Sequence, residues 1–461
     1  MRDLKELAGY DIITEEKIPE VNGTGYILSH KKTKARVLVI ANDDENKVFN
    51  IGFRTPPYDD SGIPHILEHS VLCGSRKYPV KDPFVELAKG SLNTFLNAMT
   101  YSDKTVYPIA SCNEKDFENL MDVYLDAVFY PNIYEHTEIM RQEGWHYELE
   151  TVEGELIYNG VVFNEMKGAF SSPEQQMYSK IEKLLLADTP YKNESGGDPA
   201  AIPTLSQERF LDFHRKYYHP SNSYIYLYGD LDMYKELDYI DKEYLSSFDY
   251  REIDSTIAVQ TAYEQMKDES CFYSIAENES EENQTFLTYN MVVGSSLDKK
   301  QSVAMNILEY AIMDAPGAPL KKALVDAGIG EDVFASFDDG IRQTIFSIVA
   351  RNANMSDKER FVSVIRDTLT DLSGHGEEGK AIDRTSIEAA INNFEFKHKE
   401  ANFGRFPKGL MMGLDAFNTW LYDDASALEM FKLNEVYDEL KESLKTGYFE
   451  ELIWEKLVQN T

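Results

Sequence analysis

Val48-Phe49-Asn50-Ile51-Gly52-Phe53-Arg54, the loop Pro56-Pro57-Tyr58-Asp59-Asp60-Ser61-Gly62, and then Ile63-Pro64-His65-Ile66-Leu67-Glu68-His69 form the stretch on which the fold reading turns. The first run is rich in β-branched and aromatic residues and reads as a strand. The loop ends in residues that cap helices, and Pro64 falls in a first helical turn, where its missing N–H costs little. A helix is therefore expected from about residue 63. After a polar loop, residues 93–110 read as two extended runs broken near Ser102-Asp103. Residues 114–129 then have helical spacing, which Pro131 ends.

Working outward, residues 25–28 and 35–41 are two more strand runs. A helix is expected over 139–145, a hairpin to Tyr158, and a helix from about Gly160. Residues 210–217 read as a helix and 224–228 as a buried strand. From residue 249 the apolar periodicity fades, and beyond residue 268 the pattern restarts. A strand over 285–293 leads to a helix containing Asn306-Ile307-Leu308-Glu309-Tyr310; strands over 333–337 and 344–351 and a helix over 356–372 follow. This is the order of the first half again. It indicates an internal duplication with a unit of about 200 residues. The expected fold class is α+β: two homologous units, each an antiparallel sheet covered by helices on one face. The expected division is a catalytic unit over residues 1–250, a linker over 251–268 and a non-catalytic unit over 269–461.

The chain has 461 residues, with 46 Lys and Arg against 80 Asp and Glu, a net charge of −34. A nucleic-acid partner or an anionic membrane surface is excluded, because both need clustered cations. At 43% hydrophobic residues, wholesale disorder is excluded as well. Cys73, Cys112 and Cys271 are too few and too scattered for a disulfide framework, so they read as buried small hydrophobes in a reducing compartment. No run approaches the ~18 apolar residues of a membrane span, and the first residues lack a signal-type apolar core. A cytoplasmic location is expected.

His65-Ile66-Leu67-Glu68-His69 carries the chemistry. On a helix, residues four apart share a face, so both imidazoles reach one metal, and Glu68 lies on the same side without being a ligand. The order is H-x-x-E-H, and with nine histidines in the chain chance supplies about 0.02 such patterns. Zn2+ suits imidazole and carboxylate ligands around one open position. The third ligand is Glu143, 74 residues beyond His69, or Glu165, 96 beyond. Spacing does not choose between them.

The motif, with Ser70-Val71-Leu72-Cys73-Gly74-Ser75 and Tyr78-Pro79-Val80-Lys81-Asp82-Pro83-Phe84 after it, closely resembles the pitrilysin/insulinase-type zinc metallopeptidases, in their presequence protease (falcilysin-like) branch. Asn97-Ala98-Met99-Thr100, Gln142-Glu143-Gly144-Trp145-His146, Asn164-Glu165-Met166-Lys167-Gly168, Ser195-Gly196-Gly197-Asp198-Pro199 and Tyr217-Tyr218-His219-Pro220-Ser221-Asn222 extend the likeness. The resemblance implies a zinc endopeptidase acting on unfolded peptides in an enclosed chamber. By it, His65, His69 and Glu165 are the metal ligands and Glu68 is the general base. Asn97, Ala98 and Met99 match an edge strand on which an extended substrate adds by backbone hydrogen bonds. His146 and His219 are expected to pack or hydrogen-bond rather than bind metal.

Two departures from the family pattern shape the expectations. Asn306 and Tyr310 stand where the second copy would need histidines, so that copy should hold no zinc. Members of this branch also carry a C-terminal half that closes the chamber, so a partner is expected, either the rest of a longer chain or a separate subunit. Set against the enzyme are a non-catalytic scaffold or peptide-binding subunit and a zinc-binding half inactive without its other half. The negative charge adds one expectation, an acidic chamber wall favouring basic peptides, beside a plain solvated acidic surface.

Overall fold

The computed structural model describes residues 2–460 apart from residues 82, 378 and 380. Asp82 of the block after the motif thus lies outside the described residues. The chain begins with β1 (Tyr10–Ile18), β2 (Gly23–His30), β3 (Arg36–Ala41) and β4 (Lys47–Arg54). Then come α1 (Ile63–Val71), α2 (Pro83–Gly90), β5 (Asn93–Leu96), β6 (Met99–Thr100) and β7 (Lys104–Ser111). Next are α3 (Glu114–Phe129), α4 (Thr137–Glu143), the hairpin β8 (His146–Glu148) and β9 (Ile157–Asn159), and α5 (Val161–Ala169). After α6 (Pro173–Leu185) follow α7 (Gln207–Tyr217), β10 (Ser223–Gly229) and α8 (Met233–Glu243). The remainder holds β11 (Thr285–Ser295), α9 (Lys299–Glu309), α10 (Pro319–Asp326), β12 (Asp332–Asp338), β13 (Gln343–Ala353), α11 (Lys358–Leu372), α12 (Arg384–Glu400), α13 (Lys408–Trp420) and α14 (Asn434–Ser443).

The units are interleaved in sequence. One comprises the chain up to Gln175, Thr189–Ala258 and Phe403–Phe431; the other comprises Gln176–Asp188, Val259–Asn402 and the chain from Lys432 onward. Residues 251–268 contain no helix or strand.

The first unit is built on one sheet in the order β1-β2-β3-β10-β4-β7-β5, with β6 also pairing β7. Every pairing in it is antiparallel except β3 with β10. Alternation assigns Val37, Val39, Phe49, Ile51, Phe53, Ile109, Ile225 and Leu227 to one face, where they share a core with Ile66 and Leu67 of α1, Phe117 and Leu120 of α3, and Phe210 of α7. The α+β class follows the sequence pattern, and the sheet carries a further cover that the pattern does not show. On the opposite face Leu38, Ile40, Val48, Val106, Tyr224 and Tyr226 pack with Leu410, Phe417 and Trp420 of α13. Gly409 and Gly413 make that approach possible: a Cβ on either would lie 2.1 Å and 2.3 Å from the rings of Tyr228 and Tyr226. With both faces dry, the central strands lose the alternating exposure of a one-sided sheet; β7 is buried at every residue.

The second unit has the three-stranded antiparallel sheet β11-β13-β12. Ile307 and Leu308 of α9 are fully buried, as Ile66 and Leu67 are in α1. The second half of α6 covers this sheet, with Met177 and Ile181 against Val349. The cysteines correct the sequence expectation: Cys112 and Cys271 are exposed and Cys73 is half-buried. Cys112 falls in the polar turn between β7 and α3 and Cys271 in the irregular segment before β11, neither of which lies within a core.

Candidate metal centre

Helix α1 presents two faces. Ile66 and Leu67 anchor it in the core, while His65, Glu68 and His69 line the other side. The imidazole rings of His65 and His69 are 5.0 Å apart in an edge-to-face arrangement. His65, His69 and Glu165 of α5 each bring one ligand atom within 4.8 Å of the others, the only such group among the described residues. Glu165 Oε2 lies 3.7 Å from His65 Nε2 and 3.8 Å from His69 Nε2.

The two carboxylates left open by spacing take different places. Glu143, the last residue of α4, is buried and stands on the far side of the His69 ring, 3.4 Å from Nδ1. Its other oxygen accepts a 2.8 Å hydrogen bond from Gln142 Nε2. His65 is tied similarly: its Nδ1 donates to the Gly196 carbonyl at 3.0 Å. A carbonyl and a carboxylate only accept, so each ring carries a proton on Nδ1, and Nε2 of each ring faces Glu165.

Glycines make this arrangement possible. Gly62, before α1, has φ +70°, and a Cβ there would sit 2.7 Å from Gly197 Cα and 2.8 Å from the Gly196 carbonyl. The 194–198 loop therefore lies directly on the N-terminus of α1. Asp60 holds it there, its side chain accepting from Glu194 N at 2.7 Å and its carbonyl from Asp198 N at 2.8 Å. Gly160, at φ +153°, lets α5 begin against the Gly144 carbonyl, which fixes α4 and α5 as a pair against Ile66. The Ser195-Gly196-Gly197 stretch carried the family resemblance, but its contribution, one carbonyl beneath His65, is a through-space contact of residues 131 apart.

The site is acidic. Burial lowers the His69 pKa, but the bond to Glu143 and the charges of Glu68, Glu143 and Glu165 outweigh it and leave it raised. Burial raises the Glu143 pKa, and the His69 and Gln142 bonds more than reverse that. Such a set favours a cation. Asn97, Ala98 and Met99 lie at the β5–β6 edge of the sheet, and β6 packs against α1. His146 Nδ1 bonds the Arg141 carbonyl at 2.7 Å, and His219 Nδ1 accepts from Ser221 N at 3.1 Å; neither belongs to the cluster. Among the described residues no helix is long and apolar enough to cross a membrane.

Comparison with known proteins agrees with this fold. Residues 48–179 match the insulinase (peptidase family M16) model and residues 204–394 the peptidase M16 inactive domain. The chain is 51% identical over 454 residues to "Protein HypA" of Clostridium perfringens, covering 98% of this chain and 46% of that protein. It is 42% identical over 454 residues to presequence protease 1, chloroplastic/mitochondrial, of Arabidopsis thaliana, covering 98% and 41%. The chain thus spans less than half the length of these relatives. The crystal structure of pitrilysin aligns with a TM-score of 0.63 at 17% identity, over 96% of this chain and 46% of that one, which is a likeness of fold. With an insulinase-type domain followed by an M16 inactive domain, the chain belongs to the M16 (insulinase/pitrilysin) family of peptidases.

Proposed function

We propose that the chain is a zinc-dependent endopeptidase, or the catalytic N-terminal half of one, that hydrolyses unfolded peptides within an enclosed chamber. The observation that carries this reading is the pair of Nε2 atoms, each with its Nδ1 tied, facing one Glu165 oxygen at 3.7 and 3.8 Å. Tetrahedral Zn2+ with bonds of ~2.0–2.1 Å separates neighbouring ligand atoms by about 3.3–3.4 Å. Both imidazole-to-carboxylate separations are thus within about half an ångström of that spacing, all three donor atoms lie within 4.8 Å of one another, and two imidazoles with one carboxylate leave a fourth position for water or substrate. His65, His69 and Glu165 would hold the ion. Bound there, zinc supplies Lewis acidity, which polarises a scissile carbonyl and lowers the pKa of water.

The other roles fall to side chains and main-chain groups of this chain. Glu68, on the same face of α1, accepts a proton from the attacking water and returns it to the departing amine. Glu143 and the Gly196 carbonyl hold the imidazoles in one tautomer and one orientation. The open edge at Asn97-Ala98-Met99 takes an extended peptide by backbone pairing, which suits unfolded substrates because it reads main chain rather than side chains. The length of the relatives supports a C-terminal half as partner, in the same polypeptide or a separate one. Three scattered cysteines, too few for a disulfide framework, support a reducing compartment such as the cytoplasm.

A quenched-peptide assay with and without chelator, beside elemental analysis, tests the reading. About one zinc per chain is expected, and Glu68→Gln should keep the metal while losing cleavage. A chain that takes up no zinc at neutral pH, or a Glu68→Gln variant that cleaves as fast as its parent, refutes it. The length of the relatives favours one further arm, in which turnover by this chain rises when a C-terminal half is added.

A further inference from the structure

The edge strand beside α1 is interrupted opposite a proline, and a side chain replaces the bond that the proline cannot make. The register between edge and β7 does not slip beyond Phe95: Phe95 pairs with Ala110, Leu96 with Ile109, Met99 with Val106 and Thr100 with Thr105. Asn97 then falls opposite Pro108, and its N–H donates to the Pro108 carbonyl at 3.3 Å. An antiparallel pair of this kind exchanges two bonds, the second running from the N–H of residue 108 to the Asn97 carbonyl. Proline has no N–H to give. The Tyr124 hydroxyl, reaching from α3, donates to the Asn97 carbonyl at 3.2 Å instead. Tyr124 is fully buried; burial first, and the charge of Glu68 second, raise its pKa and keep it a donor.

Alternation decides where the neighbouring groups point. Asn97 turns its backbone polar groups inward to β7, and so does Tyr101, whose N–H donates to the Lys104 carbonyl at 2.8 Å. Ala98 lies at the opposite phase, so its N–H and C=O point out from the open edge. An N–H at residue 108 would tie Asn97 to β7 alone. The hydroxyl ties it to α3, a helix that packs against both β4 and β7.

We infer that Pro108 and Tyr124 are positioning residues for the substrate: together they anchor the Asn97 carbonyl to α3, so that Ala98 offers its N–H and C=O to an extended peptide beside the metal helix. This rests on the reading of that edge as the peptide-binding strand. Neither residue touches substrate.

The test uses the full chain, zinc-loaded, carrying Glu68→Gln so that peptide is held and not cut. Affinity is read by fluorescence anisotropy with short unstructured fluorescein-labelled peptides and with the same peptides N-methylated along the backbone. Tyr124→Phe should weaken binding about three- to ten-fold, the loss of one neutral hydrogen bond, with zinc content unchanged. Pro108→Ala returns a ladder N–H, so Tyr124→Phe made in that background should cost less than about two-fold by the same reasoning. A merely structural tyrosine would lose as much in either background, and melting curves show whether each variant is folded. Parent-like binding by Tyr124→Phe, or no recovery with Pro108→Ala, overturns the inference while N-methylation still weakens binding. Binding indifferent to N-methylation, or absent in the parent, overturns the edge-strand reading and the inference with it.

Discussion

Replacing Glu143 separates the roles of two carboxylates that stand on opposite sides of one ring. Glu143 is buried, 3.4 Å from His69 Nδ1, whereas Glu165 is 3.8 Å from Nε2. A hydrogen bond involving a charged partner is worth ~1.5–3 kcal/mol and a neutral one ~0.5–1.5. Glu143→Gln keeps an acceptor oxygen facing Nδ1, so the difference is about 1–1.5 kcal/mol, or about ten-fold in zinc affinity. Glu143→Ala removes the acceptor altogether and frees the ring to turn. Its cost is the full ~1.5–3 kcal/mol, reaching about 100-fold, the upper end for partners that orient a metal-ligating histidine. Glu165→Ala removes a proposed ligand and should exceed both. Competition against a colorimetric zinc chelator at neutral pH measures all three, with thermal melts to show that each variant is folded. The graded order is the point. Parent-like affinity in Glu143→Ala would show that the buried carboxylate does not orient His69, and a loss as complete as that of Glu165→Ala would make it a ligand.

Other perturbations probe the frame around the site. Gly62→Ala should cost at least ~1–2 kcal/mol of stability for its left-handed backbone and lower zinc affinity in parallel, because the new Cβ displaces the Gly196 carbonyl; an unchanged melt refutes it. His214 is buried, donates from Nε2 to the Val128 carbonyl at 3.0 Å and bonds the Tyr134 hydroxyl through Nδ1 at 2.7 Å. Burial pushes its pKa down from 6.5 to about 4. The unfolded chain therefore binds a proton that the folded one refuses. Stability should hold above pH ~6.5 and fall as pH drops toward ~4, by up to ~3 kcal/mol, and His214→Gln should flatten that slope in urea titrations. Trp420→Ala, which empties a fully buried site between α13 and the first sheet, should cost ~3–5 kcal/mol by the same measurement.

What the sequence discloses depends on how local the determining physics is. Helix α1 is legible because the loop, Pro64 and the histidine spacing all lie between Pro56 and His69, and α3 because its amphipathic period runs unbroken from Glu114 to Phe129. Strand β1 is not: it lies at the sheet margin, and its interior is charged, Asp11, Glu15, Glu16 and Lys17 diluting the alternation. The second cover of the first sheet is not legible either, because nothing near Lys408 shows that Gly409 and Gly413 leave room for tyrosines some 180 residues earlier, where Tyr226 donates to the Gly409 carbonyl at 2.9 Å. At the site, the face shared by His65 and His69 follows from helical geometry alone. The distinction between Glu143 and Glu165 does not, since it depends on how Gly144 and Gly160 dock α4 and α5 onto Ile66.

The two copies of the Ile-Leu-Glu helix share a packing pair and differ at the positions that flank it. Ile66 and Leu67 in the first, and Ile307 and Leu308 in the second, are all fully buried, so each pair serves packing in its own unit. The flanking positions differ between the copies, His65 and His69 in the first against Asn306 and Tyr310 in the second. In the second helix Asn306 instead donates to the Ser302 carbonyl at 3.2 Å and to Asp339 at 3.4 Å. Glu309, the counterpart of Glu68, is half-buried, and burial followed by the charge of Asp314 raises its pKa to about 7. A carboxyl that keeps its proton near neutrality is a weak partner for a cation. The second helix thus lacks the imidazole pair that the first presents, while its packing pair still does for that unit what Ile66 and Leu67 do for the first.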